Sequence, residues 1–270
     1  MKLRLSVWIC ILGNLISLNL FTQNSTENNA FKAGELLEYD VSYSSALGDF
    51  TAGKARVKIK EWDDMEGNTG FHFVGTGETN NFFDVFYEVV DRFESKVDGK
   101  TLLPFHFIRN THEGSYIYND TVFFDRNLDS VFSMRKKKRV PADVHDIVSA
   151  VFYMRTLSIE DFGEDSVYQL NFYLDDSVYN SAIKFEGKGI IETKWGWLPC
   201  LKVWPMLAIG EVFTNKYPMS VWITDDENHI PIMAESEIIV GSVKMELNNF
   251  KGLKNPFIEP LTKKELKAYK

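Results

Sequence analysis

The chain has 270 residues, of which 44% are apolar, 14% aromatic and 25% charged, and its formal net charge is −8. Bulky apolar residues in this proportion exclude an intrinsically disordered chain, because enough surface can be buried to offset the chain entropy lost on folding. The acidic balance argues against a nucleic-acid-binding protein, which needs a basic surface to meet phosphates.

The N-terminal segment has the pattern of an export signal. Lys2 and Arg4 precede an apolar stretch from Leu5 to Phe21, and the chain becomes polar from Thr22 onward. A membrane anchor is the alternative, since the stretch approaches the roughly 18 residues that a span requires. Its polar interruptions and the polar segment that follows favour a cleaved signal peptide over residues 1–22. We therefore expect an exported protein of the periplasm or cell envelope, with no transmembrane span in the mature chain.

Most of the remaining sequence alternates apolar and polar residues, as from Leu37 to Tyr43 and from Ala55 to Ile59. This period of two is typical of antiparallel strands with one dry and one solvated face. Turn signals rich in Gly, Asn and Asp separate the segments, and short strands so punctuated predict a sandwich, a barrel or one strongly curved sheet. The further strand candidates are Phe71–Val74, Val85–Val97, Leu103–Arg109, Tyr116–Phe124, Val167–Leu174, Ile183–Ile191, Leu198–Trp204, Ser220–Ile223 and Glu235–Asn248.

One segment has helical spacing instead. Asp143 suits the N-cap, Asp146 stands three positions later as in a capping box, and apolar residues then recur every three or four positions. The sequence predicts one central helix over residues 143–157 whose apolar face, including Val148 and Val151, is buried against a sheet.

The predicted fold class is therefore mainly β, with an antiparallel, strongly curved sheet or open barrel around one central helix. We expect a single β-rich domain over residues 31–255, with a seam between two half-sheets near residues 128–141. The end of the chain, residues 256–270, is expected to be a polar tail.

Several segments together carry a resemblance to a known family. They are Phe31–Tyr39, Ala52-Gly53, Asp146–Arg155, Val221–Asp226, Ile230–Ile232 and Val240–Ser242. In this order they resemble the exported bacterial domain of unknown function 3108 family, and the likeness extends from Phe31 to about Phe250. The resemblance implies an envelope protein rich in β-structure. It implies no activity, ligand or catalytic residue.

No catalytic, metal or cofactor site is predicted. The five histidines are dispersed without the spacing that places two imidazoles on one helix face, and Cys200 lies in an apolar strand without a nearby histidine. His145, Asp146 and Ser149 suggest a triad, but on a helix residue 146 lies about 100° round from residue 145. Asp146 is more simply a first-turn acid, and Ser149 a small residue that lets the helix approach the sheet.

Two charged features have a structural and a functional interpretation. Asp225 and Asp226, beside Trp222, form an alternative acidic site, since glycosidases use two carboxyl groups roughly 5–10 Å apart. Adjacent aspartates between strands are more simply turn formers. The run Arg135–Arg139 predicts a solvated loop, or a basic patch for an anionic lipid or polysaccharide.

The aromatic residues are the most informative excess. Trp195, Trp197, Trp204 and Trp222 are predicted to lie on the concave face of the sheet, where they either fill the interior or line a ligand site. In the first half of the chain, Phe82-Phe83 follows Asn80-Asn81 and could project from a loop tip toward a membrane or partner.

These observations predict a non-catalytic exported cell-envelope protein that binds an amphipathic ligand, lipid or glycan, or an envelope protein partner. No nucleic-acid partner is expected. The alternatives are a hydrolase of envelope glycans that uses Asp225 and Asp226, and a structural interaction module that uses the sheet edge.

Overall fold

The computed structural model describes residues 27–45, 48–63, 67–158, 163–206, 219–237 and 241–269, so the predicted signal peptide lies outside the described residues. The strands are β1 Leu36–Ser45, β2 Gly48–Asp63, β3 Thr69–Thr79, β4 Val89–Asp98, β5 Pro104–Glu113, β6 Tyr116–Asp125, β7 Ser130–Phe132, β8 Lys137–Arg139, β9 His145–Asp146, β10 Val167–Leu174, β11 Ser177–Thr193, β12 Gly196–Pro205, β13 Met219–Thr224, β14 Pro231–Glu237 and β15 Ser242–Lys251. The helices are α1 Asn81–Asp84, α2 Ile147–Arg155 and α3 Lys263–Tyr269.

All of these strands belong to one continuous sheet. Its order is β8-β7-β6-β5-β4-β3-β2-β1-β15-β14-β13-β12-β11-β10-β9, so the pairing of β1 with β15 joins two meanders. Every neighbouring pair is antiparallel except β9 and β10, which pair in parallel through His145 and Asp146. The mainly β prediction is confirmed, and the purely antiparallel one is wrong. A parallel pair needs a crossover connection, and α2 lies in the segment that connects β9 to β10.

The sheet curls until its two margins approach, although no ladder closes it. Tyr173 of β10 shares one buried apolar cluster with Phe124 of β6 and Val131 of β7. Polar side chains add links between the margins: Ser133 Oγ donates to Asp176 Oδ1 at 2.6 Å. The result is an open barrel whose margins are held by side chains rather than by backbone hydrogen bonds.

Two predicted strands differ from the observed ones. The strand expected to begin at Val85 begins at Val89, because the Asn80 side chain accepts the N–H groups of Phe82 and Phe83 and so caps the short helix α1. The segment expected to form one strand from Glu235 to Asn248 instead contributes to two paired strands, β14 and β15. The predicted seam holds the hairpin of β7 and β8 at the sheet margin.

Helix α2 begins four residues later than predicted. Residues 145 and 146 are extended because they pair with β10, so Asp146 rather than Asp143 is the N-cap. Asp146 Oδ1 accepts the N–H groups of Val148 and Ser149, each at 2.8 Å. Ser149 Oγ in turn accepts the N–H of Asp146 at 2.9 Å. This reciprocal capping box satisfies backbone donors that the helix itself leaves free.

The two faces of α2 have different surroundings. Phe152 stacks on Phe73 with ring centroids 3.7 Å apart and meets Phe31 edge-on, in the main aromatic core. Val148 packs against this core and the neighbouring cluster. Val151, predicted to be buried, is 41% exposed, so that prediction is wrong.

This difference predicts unequal effects of two truncations. Val148→Ala is expected to lower the free energy of unfolding by about 1–2 kcal/mol, because it removes packed methyl groups. Val151→Ala is expected to lower it by less than about 1 kcal/mol, since fewer contacts are lost. Urea unfolding of both variants measures the difference, and a larger loss for Val151→Ala would contradict it.

The end of the described chain is not uniformly polar. Phe257 stacks on Phe250 with centroids 4.4 Å apart and contacts Trp195, and Ile258 packs on the same cluster. The first residues after 255 therefore belong to the packed structure, and the polar residues are those of α3 and its approach.

Candidate functional site

Empty apolar space lies inside the curled sheet, toward the end at which β1 finishes and β2 begins; we call this the upper end. One cavity of about 270 Å³ lies between α2 and strands β10 to β15. Val151 and Met154 of α2 line it, opposite Val203, Val221 and Ala234 of the sheet. Val151 is thus exposed to an apolar cavity.

A second cavity of about 380 Å³ adjoins the first on the same concave face. The two adjoin along β15, where Val243 lines the second and Met245, two residues further, lines the first. Ala55 and Gly77 are register partners that line the second cavity, and a Cβ placed at Gly77 would meet no atom within 4 Å. Small residues facing inward therefore leave this part of the interior unfilled.

Helix α2 separates this space from a filled lower interior. On its lower side, Phe31, Phe73 and Phe152 pack tightly together. On its upper side, the mainly apolar residues that line the two cavities leave space between them unfilled. The candidate site is therefore the upper interior, and α2 forms the floor of its first cavity.

Arg155, Tyr168 and His229, which line the first cavity, already have polar partners. Arg155 forms a two-pronged ion pair with Glu35, with N–O distances of 2.5 and 3.2 Å, and both side chains are buried. The hydroxyl groups of Tyr168 and Tyr153 are 3.0 Å apart, and His229 Nδ1 lies 2.8 Å from the Arg155 carbonyl oxygen. Across the described part of the chain, no buried side-chain N or O atom lacks a hydrogen-bond partner. This interior suits a hydrocarbon chain better than an ion.

The four tryptophans predicted to form a ligand site line neither cavity. Trp204 and Trp222 follow Val203 and Val221 directly, and alternation along a strand turns them to the opposite face. Lys202 Nζ lies 4.8 Å from the ring centre of Trp204 and 5.4 Å from that of Trp222. The indole N–H of Trp204 donates to Glu186.

The other two tryptophans lie where the chain end packs on the sheet. Trp195 contacts Phe250 and Phe257 at centroid distances of 5.6 and 5.5 Å. Trp197 accepts the N–H of Leu261 through its backbone carbonyl at 2.8 Å. Their contacts are those of structural residues.

The alternative acidic site is a turn with local partners. Asp225 pairs with Lys188 at 3.0 Å. Asp226 Oδ1 accepts the hydroxyl of Thr224 at 2.6 Å and the N–H of Asn228 at 3.0 Å. The geometry therefore favours Asp226 as a turn-forming residue.

The residues that suggested a triad are enclosed. His145 is 2% exposed, and Asp146 and Ser149 are fully buried. His145 Nδ1 lies 3.3 Å from Ser149 Oγ, whereas Asp146 binds Ser95 and the helix N-terminus. Burial lowers the pKa of His145 to about 3 and raises that of Asp146 to about 6. No substrate can reach these atoms in this arrangement.

The raised pKa of Asp146 predicts that this residue lowers the stability of the fold as the pH rises. Between pH 3.8 and about 6 the folded chain keeps a proton that the unfolded chain has lost. Folded stability therefore falls through this range as the pH rises. Between pH 4 and pH 7, the free energy of unfolding of Asp146→Asn should rise by about 2–3 kcal/mol relative to that of wild type, because asparagine also caps a helix but does not ionise. Urea unfolding at several pH values measures this, and the His145 contribution cancels in the difference. A pH-independent difference would contradict it.

Other reactive groups are dispersed or enclosed. Within the ranges that the structure describes, no three His, Cys, Asp or Glu side chains are grouped as a metal site would require. Burial raises the pKa of the Cys200 thiol to about 12. In the basic run, Arg135 lies over Tyr118 at 4.3 Å and Lys137 over Phe132 at 4.6 Å. The run is an exposed turn and edge strand with local aromatic partners.

Comparisons with known proteins agree with this architecture. The sequence profile of the family "Protein of unknown function (DUF3108)" matches residues 38–248. The chain belongs to the DUF3108 family. A β-barrel-like protein of the domain of unknown function DUF1849, from Brucella abortus, superposes on this DUF3108 protein with a TM-score of 0.52. The match covers 83% of this chain and 99% of that one at 10% sequence identity, which shows a shared fold alone.

A Bacteroides fragilis protein with a YmcC-like fold gives a TM-score of 0.29 at 12% identity, covering 82% of this chain and 97% of that one. No curated protein matches the DUF3108 chain. Among the helices of the described segments, none has the length and apolar character needed to cross a bilayer.

Proposed function

We propose that this protein is a non-catalytic, exported cell-envelope protein that binds the hydrocarbon chain of an amphipathic lipid in the upper interior. The observation that carries the proposal is the pair of adjoining apolar cavities in the upper interior. Cavities of this size and lining are typical of small-ligand sites, and curved β-folds hold a ligand where side chains do not fill them. The predicted signal peptide supports export.

The paired charges give the bound ligand an orientation. Arg155, the basic residue that lines the first cavity, is already neutralised by Glu35. A buried anionic head group would therefore find no free positive partner there, and burying an unpaired charge is costly. The ligand accordingly enters tail-first, and its head group stays in water at the upper end.

Native mass spectrometry of protein purified from its own envelope is the direct test. A co-purifying lipid supports the proposal, and mass spectra of ligand-free protein alone, under conditions that preserve lipid complexes, contradict it.

Titration with alkyl maltosides below their micelle concentrations gives a second measurement. Affinity should rise about fourfold for each added methylene group, because each buries apolar surface. A C12 sulfate and a C12 maltoside should bind alike; affinity set by the head group instead of chain length would contradict tail-first binding.

The outer face offers a second candidate, a glycan site. Trp204 and Trp222 flank Lys202, and Glu186 adds a carboxylate beside them. Aromatic faces with adjacent hydrogen-bonding groups are suited to binding sugars. Tryptophan fluorescence during titration with envelope oligosaccharides tests this candidate, and Trp222→Ala should abolish any response. A lipid response that survives Trp222→Ala favours the interior site.

A further inference from the structure

A cluster of exposed apolar side chains stands at the upper end, beside the second cavity. Phe82, Val85 and Phe86 are 62%, 80% and 73% exposed; we call these three residues the aromatic lip. Phe82 and Phe86 contact each other with centroids 5.6 Å apart. Solvent exposure of neighbouring large apolar side chains marks a surface that meets an apolar partner.

The lip is held in place by contacts to the sheet. Asn80 caps α1 and also donates to the Thr51 carbonyl at 2.6 Å. Asp84 accepts the hydroxyl of Thr79 at 2.5 Å. The exposed rings are therefore carried by a short helix whose backbone and polar side chains are tied to β2 and β3, and their exposure is built into the fold.

The lip is continuous with the lining of the second cavity. Phe83 and Tyr87, from the same segment, line that cavity, and the Phe83 ring meets Tyr43 of β1 at 6.0 Å. One side of this short segment therefore faces the cavity, and the other side, which carries the lip, faces the solvent. An apolar molecule that leaves a bilayer at the lip would reach the cavity along apolar side chains.

The neighbouring hairpin extends the same surface. Tyr116 and Ile117, at the start of β6, are 47% and 66% exposed. Their turn touches the lip segment, because a Cβ placed at Gly114 would lie 2.9 Å from the Tyr87 ring. Exposed apolar residues from two hairpins therefore point to one extended apolar surface at this end.

The charge of the segment that carries the lip indicates which force can attach this surface to lipid. Residues 81–91 contain Asp84, Glu88 and Asp91 but no Lys or Arg. Burial and the nearby Glu113 carboxylate raise the pKa of Asp91 to about 6, which is still below neutral pH, so the segment remains acidic at pH 7. An acidic segment has no electrostatic attraction to anionic lipid, so attachment must come from insertion of apolar side chains.

We propose that the aromatic lip inserts into the interfacial region of a lipid bilayer and holds the open side of the second cavity against it. The partner is the bilayer itself rather than a protein, because the lip presents projecting rings next to the route that a membrane-derived chain would take into the cavity. Membrane attachment is a different property from ligand binding, and different variants separate them.

Flotation with phosphatidylcholine vesicles tests the proposal on the exported chain after signal-peptide removal. Wild type should float with the vesicles, and about 0.5 M salt should change its partition coefficient by less than about twofold, since no basic cluster is involved. Phe82→Ser/Phe86→Ser should lower the partition coefficient about a hundredfold, roughly tenfold for each ring. The matched control Phe123→Ser/Leu128→Ser, two residues 54% and 55% exposed near the lower end, should stay near wild type.

Three outcomes would overturn the proposal: wild type that does not float, lip and control variants that float alike, or flotation that requires anionic lipid and is lost in salt. If the double variant melts earlier than wild type, Val85→Asp provides the test, because Val85 is the most exposed lip residue. The lip variants should bind short-chain detergent as wild type does, whereas Ala234→Phe should lose detergent binding and still float. Failure of ligand binding is thereby distinguished from failure of membrane attachment.

Discussion

Replacing Arg155 by methionine is expected to lower the free energy of unfolding by about 3–5 kcal/mol, because it leaves the Glu35 carboxylate buried without a partner. Arg155 and Glu35 side chains are 3% and 1% exposed. Arg155 Nε also donates to the Asn228 carbonyl at 3.0 Å, and a second guanidinium nitrogen donates to the Ala30 carbonyl at 3.3 Å. One side chain thus joins the end of α2 to the N-terminal segment and to the turn after β13.

A double-mutant cycle separates charge from packing. Glu35→Gln/Arg155→Met removes both charges and should be more stable than Arg155→Met alone, since no isolated ion remains buried. The exposed pair of Arg56 and Glu38, 3.1 Å apart, is the matched control. Arg56→Met should cost less than about 1 kcal/mol, because solvent screens that pair. Equal effects of Arg155→Met and Arg56→Met in urea unfolding would contradict the assigned role of the buried pair.

Filling the first cavity is expected to remove ligand binding without loss of stability. Ala234 lies on its wall, and Ala234→Phe places a ring in a space of about 270 Å³. Affinity for a C12 maltoside should fall more than about tenfold, because the ring occupies volume that the alkyl chain needs. The melting temperature should be unchanged or higher, since the ring buries apolar surface without displacing packed side chains.

Ala268→Phe is the control, because Ala268 lies exposed on α3 and lines neither cavity. Isothermal titration with the maltoside compares the three proteins. Unchanged affinity in Ala234→Phe, with the ring seated in the cavity as shown by a raised melting temperature, would place ligand binding elsewhere. The outer face around Trp222 would then be the surface to examine.

Local sequence determined the strands, most turns and the existence of α2. Alternation from Leu37 to Tyr43 predicts β1 because side chains on a strand face opposite sides with a period of two. Asp175 and Asp176 predict the turn between β10 and β11, and both adopt positive φ, of 49° and 57°. Such turns suit the twist of a hairpin and accept Asp readily. The strands and this turn depend on residues that are close together in the chain, and they can therefore be predicted from the sequence.

Tertiary structure decided the start of α2 and the position of the candidate site. The pairing of His145 with Phe172 of β10 keeps residue 145 extended and moves the N-cap to Asp146, and this pairing spans 27 positions. Alternation places Val203 and Trp204 on opposite faces, yet it does not say which face is concave. Curvature of the whole sheet turns Val203 inward and Trp204 outward.

Small residues are the feature of the sequence that indicates where the interior is left unfilled. Gly75 and Gly77 alternate along β3, and Ala55 lies beside them on β2. That signal acquires meaning only when register brings those strands together above α2, because a cavity is a property of facing side chains and not of any one segment.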